Sequence, residues 1–332
     1  MKTKALRIIS ILLLVILILS LVTLTAGAIA KSNLAKQYPA PGQLVDVGGY
    51  KMHIHCTGQG SPTVILAAGT ADFSTTWAYV QPEVAKLTRV CAYDRAGLGW
   101  SEPSPLPLTV KTTVDELHTL LVNARVQGPY VLVGHSLGGM HMRAYAHNYP
   151  DEVVGLIQVD SLHEVQAILD PVYTKANQVS IQPFRMLALL NSTGIMALAP
   201  QSIPNQGLPD DAYAQYQASL ATTNFFTTTI AEVEAQAGHC AEVRALKIAN
   251  FGNMPLIVIT RGRANRTASL SDTENQQSED VWQALQSELV ALSSQGQQII
   301  AEQSGHMIQF DQPELVIDAI RTILDTLRNG SN

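Results

Sequence analysis

Residues 130–140, YVLVGHSLGGM, surround a serine with the features that turn a hydroxyl into a nucleophile. Gly134, His135, Ser136, Leu137 and Gly138 spell G-x-S-x-G between a short apolar run and a helical pattern. A serine on such a strand-to-helix turn takes a positive φ, and the tight turn tolerates only glycine-sized neighbours. The helix behind it directs its positive end at the hydroxyl, so an oxyanion forming there is stabilised. One N–H for that oxyanion comes from Leu137, the residue after the serine. The base must come from elsewhere in the chain. Of the nine histidines, His306 is best placed. It lies in SGHM (304–307) after an apolar strand at 297–302, so it emerges at the same carboxyl end of a parallel sheet as Ser136. Asp311, Pro313 and Glu314 then begin a helix. His163, after a strand at 154–159, is the second choice. His53, His55, His118, His141, His147 and His239 read as structural, and no spacing of His, Cys and carboxylates implies a metal site or another cofactor.

These side chains need a scaffold that brings distant segments to one edge. Apolar strands at 63–68, 89–93, 130–133, 154–159, 255–260 and 297–302 alternate with helical patterns at 77–87, 112–124, 281–292 and 313–327, and with a helix from the elbow to about Asn148. This alternation predicts a parallel sheet covered on both faces. Ahead of it, residues 43–47 and 50–56 alternate around Gly48-Gly49, a two-residue hairpin signal, so the sheet starts with an antiparallel pair. Residues 161–250 break the pattern with helical stretches rich in Ala, Gln and Thr. Ser161-Leu162-His163-Glu164 reads as a capping box for the first of these helices.

From residue 43 to about 327 the chain resembles the α/β-hydrolase fold superfamily, serine-nucleophile branch, which includes esterases and proline iminopeptidases. The resemblance is most specific in GHSLGG (134–139), YDRAGLGWS (93–101) and SGHMIQFDQPE (304–314). It implies an α/β-hydrolase fold, a mostly parallel sheet flanked by helices, with the core at 43–160 and 251–328 and a helical cap inserted at 161–250. The cap's apolar stretch 184–198 either lines an entrance or packs on the core. The resemblance implies a serine hydrolase that cleaves a carboxylic ester or related acyl bond of a small molecule, with an acyl-enzyme on Ser136 and His306 as base. The same elbow serves aminopeptidases, thioesterases, cofactor-free haloperoxidases and carbon–carbon hydrolases, and a non-catalytic binding or signalling protein can keep the scaffold. In the family, His135 is a common structural occupant of the elbow. The second oxyanion donor comes from Ala68-Gly69-Thr70, where the family often has His-Gly. The donor is main chain, here the N–H of Thr70. Asp94, Arg95, Gly97, Gly99 and Ser101 match an architectural D-x-x-G-x-G-x-S loop in which Asp94 anchors backbone N–H groups. Most of the family carries the acid that orients the base just after the strand at 255–260. Here Arg261, Gly262, Arg263, Ala264, Asn265 and Arg266 offer no carboxylate before Asp272. Asp160, closing the strand at 154–159 where some members carry their acid, is the first candidate, with Asp272 or Glu274 as alternatives. In this fold the strands of Cys56 and Cys91 are neighbours, which predicts contact and, in an oxidising compartment, a bond; two buried thiols are the other reading.

Charged residues make up only 14% of the 332 residues, and a net charge of −6 with a pI near 5.8 offers no basic surface for nucleic acid. Three cysteines are too few for a disulfide scaffold. From Ile8 to Ala30 no residue is charged, with Lys2, Lys4 and Arg7 ahead and Lys31 and Lys36 behind. That length spans a bilayer. Residues 1–30 therefore read as a membrane anchor or a signal segment, and residues 31–42, with Pro39, Pro41 and Gly42, as a linker. Ala28-Ile29-Ala30 offers a cleavage site, but the run exceeds a typical signal-peptide core, which favours the uncleaved anchor. Under either reading the basic cluster stays cytoplasmic and the bulk of the chain is exported, membrane-anchored or secreted.

Overall fold

The computed structural model describes residues 2–205 and 207–330. Its centre is an eight-stranded sheet in the order β1-β2-β4-β3-β5-β6-β7-β8. The strands are β1 (Gln43–Asp46), β2 (Lys51–Thr57), β3 (Thr63–Ala67), β4 (Val90–Tyr93), β5 (Tyr130–His135), β6 (Val153–Val159), β7 (Leu256–Arg261) and β8 (Gly296–Ala301). β2 pairs antiparallel with both β1 and β4, and every other pair is parallel. The fold is the α/β-hydrolase fold.

The helices are α1 (Lys2–Gln37), α2 (Gln81–Val84), α3 (Val110–Asn123), α4 (Leu137–Asn148), α5 (Gln166–Leu169), α6 (Pro171–Ser192), α7 (Ile195–Leu198), α8 (Asp210–Thr222), α9 (Phe225–Leu246), α10 (Asp272–Val290), α11 (Ile308–Asp311) and α12 (Pro313–Asn329). Strand side chains alternate between the two faces, so each central strand feeds two cores. Ile65, Leu132, Leu156 and Val258 pack with Leu117 and Leu121 of α3, Met140 of α4 and Trp282 of α10. Their neighbours Leu66, Val133, Ile157 and Ile259 pack on the other face with Val84 of α2 and Ile320 and Ile323 of α12. Fully burying one such aliphatic side chain stabilises the fold by roughly 1.5–3 kcal/mol. That is why these strands read as unbroken apolar runs rather than as alternating ones. Helices α5–α9 form the inserted layer, and no strand interrupts them.

Four local expectations need correction. Residues 31–37 are helix, not linker: α1 runs on to Gln37 because a stripe of it packs on the inserted helices, and the chain leaves helix only before Pro39. Residues 77–87 do not form one helix. A 3₁₀ turn at Ser74–Trp77, held by the Asp94 carboxylate on the Ser74 N–H at 2.7 Å, precedes α2, where Pro82 suits a first helical turn better than a helix interior. α10 starts at Asp272 rather than near residue 281, because Ser271 and Glu274 make a reciprocal capping box. The Ser161–Glu164 capping box does not form, since residues 161–165 are non-helical and Glu164 pairs with Arg143 at 2.9 Å instead.

Cys56 and Cys91 are register partners on β2 and β4 and are joined by a disulfide, while Cys240 is free and buried. The bond closes a sequence separation of 35 residues, for which loop-closure entropy gives about 3–4 kcal/mol. Replacing both cysteines by alanine is expected to lower unfolding stability by about that amount in a urea titration. An unchanged midpoint and slope would contradict it.

Candidate active site

Ser136 stands between β5 and α4 with φ 51° and ψ −121°, the strained turn that G-x-S-x-G predicts. The turn is wedged shut from two sides. A Cβ on Gly134 would lie 2.5 Å from the Gly139 Cα, and one on Gly138 would lie 2.5 Å from the Ala67 carbonyl oxygen at the end of β3. Side chains at either position would push the backbone aside. Leu137 is the first residue of α4, so its N–H has no acceptor within the helix. Thr70, on the loop after β3, lines the same cavity as Ser136.

His306 follows β8 in a loop fixed by Asp311, whose carboxylate accepts from Ser304 Oγ at 3.0 Å and from the Gly305 N–H at 3.1 Å. From the other side, His135 Nε2 donates to the His306 carbonyl at 2.9 Å. Burial, and secondly the charge of a protonated His306, lower the His135 pKa to about 3, so it stays neutral as this structural donor. His306 Nδ1 lies 2.5 Å from Asp160 Oδ2, which leaves its Nε2 free for the cavity that Ser136 and His306 share.

Asp160 closes β6 and is fully buried. Its second oxygen accepts from Trp282 Nε1 at 2.8 Å and from the Arg261 N–H at 3.2 Å, and Arg261 Nη1 donates to Oδ2 at 2.9 Å. Burial alone would raise this carboxyl. The hydrogen bond and charge of His306, the Arg261 guanidinium and the Trp282 N–H together outweigh burial and hold it down at about 2. The alternatives lie elsewhere. Asp272 is exposed and pairs with Arg266 at 2.8 Å, and Glu274 is spent on the α10 cap. His163 is buried beside Glu164, 3.6 Å from its carboxylate, and is not among the residues that line the cavity. Asp94 anchors the Ser74 and Trp100 N–H groups at 2.7 and 2.9 Å, as the loop motif implies, and also holds His53 Nδ1 at 2.8 Å.

Arg95 does more than the loop motif suggests. Its guanidinium donates to the carbonyls of Ala68 and Gly69 at 2.5 and 2.6 Å, and its Nε donates to Glu232 of α9 at 2.6 Å. The other Glu232 oxygen accepts from the Ala71 N–H at 3.0 Å. A buried ion pair therefore clamps residues 68–71, the loop that carries the Thr70 N–H. Sequence reasoning missed this pair and the Trp282 and Arg261 contacts. A buried arginine requires an acidic partner, which is a signal, but Glu232 is 137 residues away and no pattern names it. Asp72 was also missed. It lines the cavity with Ser136, and burial lifts its carboxyl to about 7, against the opposing pull of Arg95.

The cavity has a volume of about 610 Å³. Ser136, His306, Thr70 and Asp72 form its polar floor, and Phe184, Leu187 and Met196 of the inserted helices are among its apolar walls. Of the stretch 184–198, Phe184, Leu187 and Met196 line the cavity and, with Ala188, also pack against the cluster of Phe73, Leu98 and Phe225, while Met186, Leu189, Ile195 and Leu198 are exposed. No cluster able to hold a metal ion occurs among the described residues.

The sequence model described as the alpha/beta hydrolase family matches residues 64–319, well over half the chain and every segment that reaches this cavity. The chain belongs to the alpha/beta hydrolase family. Among curated relatives, it is 26% identical over 266 residues to the protein YqjL of Bacillus subtilis strain 168, covering 80% of this chain and 85% of that one. Three further relatives are longer proteins, of which the chain spans 30%, 42% and 23%. Among solved structures, an epoxide hydrolase from Vigna radiata superposes with a TM-score of 0.65 at 18% identity, covering 86% of this chain and 98% of that one. A thermophilic esterase from Thermogutta terrifontis superposes with a TM-score of 0.56 at 22% identity, covering 85% and 96%. At these identities the structural likeness speaks for the alpha/beta hydrolase fold. The reaction must be argued from the side chains of this site.

Proposed function

We propose that this chain is a serine hydrolase that cleaves a carboxylic ester or related acyl bond, held to a membrane by α1. The observation that carries the reaction is the 2.5 Å contact of His306 Nδ1 with the buried Asp160 carboxylate, beside a serine on a strained elbow in the same cavity. Asp160 fixes the tautomer of His306 that leaves Nε2 as acceptor, and it stabilises the imidazolium once formed. Ser136 Oγ attacks the ester carbonyl while His306 Nε2 takes the hydroxyl proton. The oxyanion is met by the N–H groups of Leu137 and Thr70. Collapse breaks the ester C–O bond, the proton passes from His306 to the leaving alcohol, and the acyl group remains on Ser136. Water then adds with His306 again as base, and the acid leaves with the serine regenerated.

Two observations support an anchor that is retained. α1 is apolar and long enough to cross a bilayer. Its far end is not a free tail: Gly27 is buried, and a Cβ there would lie 2.8 Å from the Gly194 backbone. A cleavage after Ala30 would strip that contact away. The Cys56–Cys91 bond supports a catalytic domain on the oxidising, extracytoplasmic side.

A fluorophosphonate probe tests the reaction. Wild-type protein is expected to label and the Ser136→Ala variant to lose all labelling, with unchanged circular dichroism. Absence of labelling on folded wild-type protein would reject the proposal.

A further inference from the structure

We infer that the cap is seated in the surface of the same bilayer that holds α1, and that the cavity takes its substrate from that bilayer as a lipophilic, long-chain ester. This inference rests on the anchor and ester readings above and adds the orientation and the substrate class. It starts from helix arithmetic. At a rise of about 1.5 Å per residue, some twenty residues cross a hydrocarbon core of roughly 30 Å. Counted from Ile8, the first residue of the charge-free run, that core ends at about Gly27. Gly27 is the point at which α1 meets the cap. The helix is exposed from Lys4 to Val22, then turns one stripe, Thr23, Ala26, Gly27, Ala30, Lys31 and Leu34, toward protein. The steps of three, one, three, one and three residues along this stripe are those of a single helix face. Its partners are α7 and α8.

Gly27 and Gly194 touch backbone to backbone. A Cβ on either would fall within 2.8 Å of the other. Small residues at such a crossing let two helical segments approach closely in an apolar surrounding, where tight packing replaces the hydrophobic drive. The contact fixes the depth of the cap. Gly194 sits at the edge of the hydrocarbon core, between α6 and α7. Four large apolar side chains of these helices are uncovered: Met186, Leu189, Ile195 and Leu198 are between 40% and 61% exposed. An isolated exposed leucine needs no explanation, but four large apolar side chains beside a membrane helix form a surface for lipid. Lys31 and Lys36 follow about one and two and a half turns beyond Gly27, where headgroups lie.

Helices α6 and α7 are also part of the cavity wall. Phe184 and Leu187 of α6 and Met196 of α7 face inward above Ser136, between the residues that face outward. α6 and α7 are therefore a single partition with the bilayer on one side and the acyl cavity on the other. An ester already dissolved in the membrane reaches Ser136 by crossing that partition, and its acyl chain need never enter water. Each CH₂ gains about 0.8 kcal/mol on leaving water for the membrane, so its further transfer from bilayer to apolar cavity is near neutral.

The test uses full-length protein reconstituted in phosphatidylcholine vesicles. With Cys56 and Cys91 bonded and Cys240 buried, a cysteine introduced at an exposed site can be labelled selectively. A fluorophore on Ile195→Cys is expected to be quenched by phosphatidylcholine brominated on its acyl chains. One on Val122→Cys, exposed at the end of α3 where the chain approaches the amino end of β5, whereas the cap follows the carboxyl end of β6, is expected to remain unquenched. In parallel, the double variant Ile195→Glu, Leu198→Glu is expected to hydrolyse p-nitrophenyl palmitate carried in the vesicles at least tenfold more slowly, with p-nitrophenyl acetate turnover within twofold of wild type. An unquenched Ile195→Cys probe, or equal effects on the two esters, overturns the inference. Wild-type protein that hydrolyses neither ester would defeat the ester reading, and the quenching result would still decide the seat.

Discussion

Asp160→Asn is expected to lower kcat on a p-nitrophenyl ester by about 10⁴-fold with little change in KM, the size of effect known for loss of the orienting acid in serine hydrolases. The cause is local. An amide in place of the carboxylate can present its NH₂ to His306 Nδ1, which selects the tautomer whose Nε2 carries a proton and cannot accept one from Ser136. It also leaves the imidazolium without its buried counter-charge, while Arg261 keeps only its pairing with Glu279 at 2.7 Å. Asp272→Asn and Glu274→Gln, at the start of α10, are expected to stay within about twofold of wild type. Near wild-type turnover in folded Asp160→Asn would remove the assignment. The same variant reports on acid stability. A carboxyl held at about 2 against a reference of 3.8 stabilises the fold fully above pH 3.8, and that contribution is lost as pH falls through about 2. Melting curves between these pH values should converge for wild type and variant.

Arg95→Met is expected to reduce kcat by about 10²-fold, comparable to the loss of one oxyanion donor. Its guanidinium holds the Ala68 and Gly69 carbonyls, and without it the loop that presents the Thr70 N–H is free to rotate. Glu232 would be left buried without its partner, so some stability is lost as well. The paired change Arg95→Met, Glu232→Gln separates the two effects. It should recover stability but not kcat, because the buried charge is gone and the loop is still unclamped. Recovery of both would mean that Arg95 acts only as a structural ion pair.

Sheet and elbow were legible because their signals are local. The central strands are buried on both faces and so read as continuous apolar runs, and a backbone that doubles back within five residues tolerates glycines and little else. The position of Asp160 next to His306 could be read because the end of a strand fixes where a side chain emerges, and no carboxylate followed β7 before Asp272. The segments that misled did so where packing overrides local preference. Residues 31–37 look like a linker beside Pro39 and Pro41, yet tertiary contact with the cap keeps them helical. The 77–87 stretch has a helical pattern, but Asp94 captures the Ser74 N–H and Pro82 restarts the helix. Of the capping-box sequences at Ser161 and Ser271 only the second forms, because Arg143 claims Glu164 from the first. The Arg95–Glu232 clamp joins a loop of the core to a helix of the cap, and periodicity carries no information about a pair so far apart.

The most direct measurement is the mass of the protein caught in turnover. Wild-type protein mixed with a p-nitrophenyl ester, quenched in acid within the first turnover and digested, should yield a peptide containing Ser136 that is heavier by one acyl group. The yield should match the burst of p-nitrophenol, and Ser136→Ala should show neither burst nor adduct. Steady ester hydrolysis with an unmodified Ser136 peptide, or with the acyl group on another residue, would contradict the account.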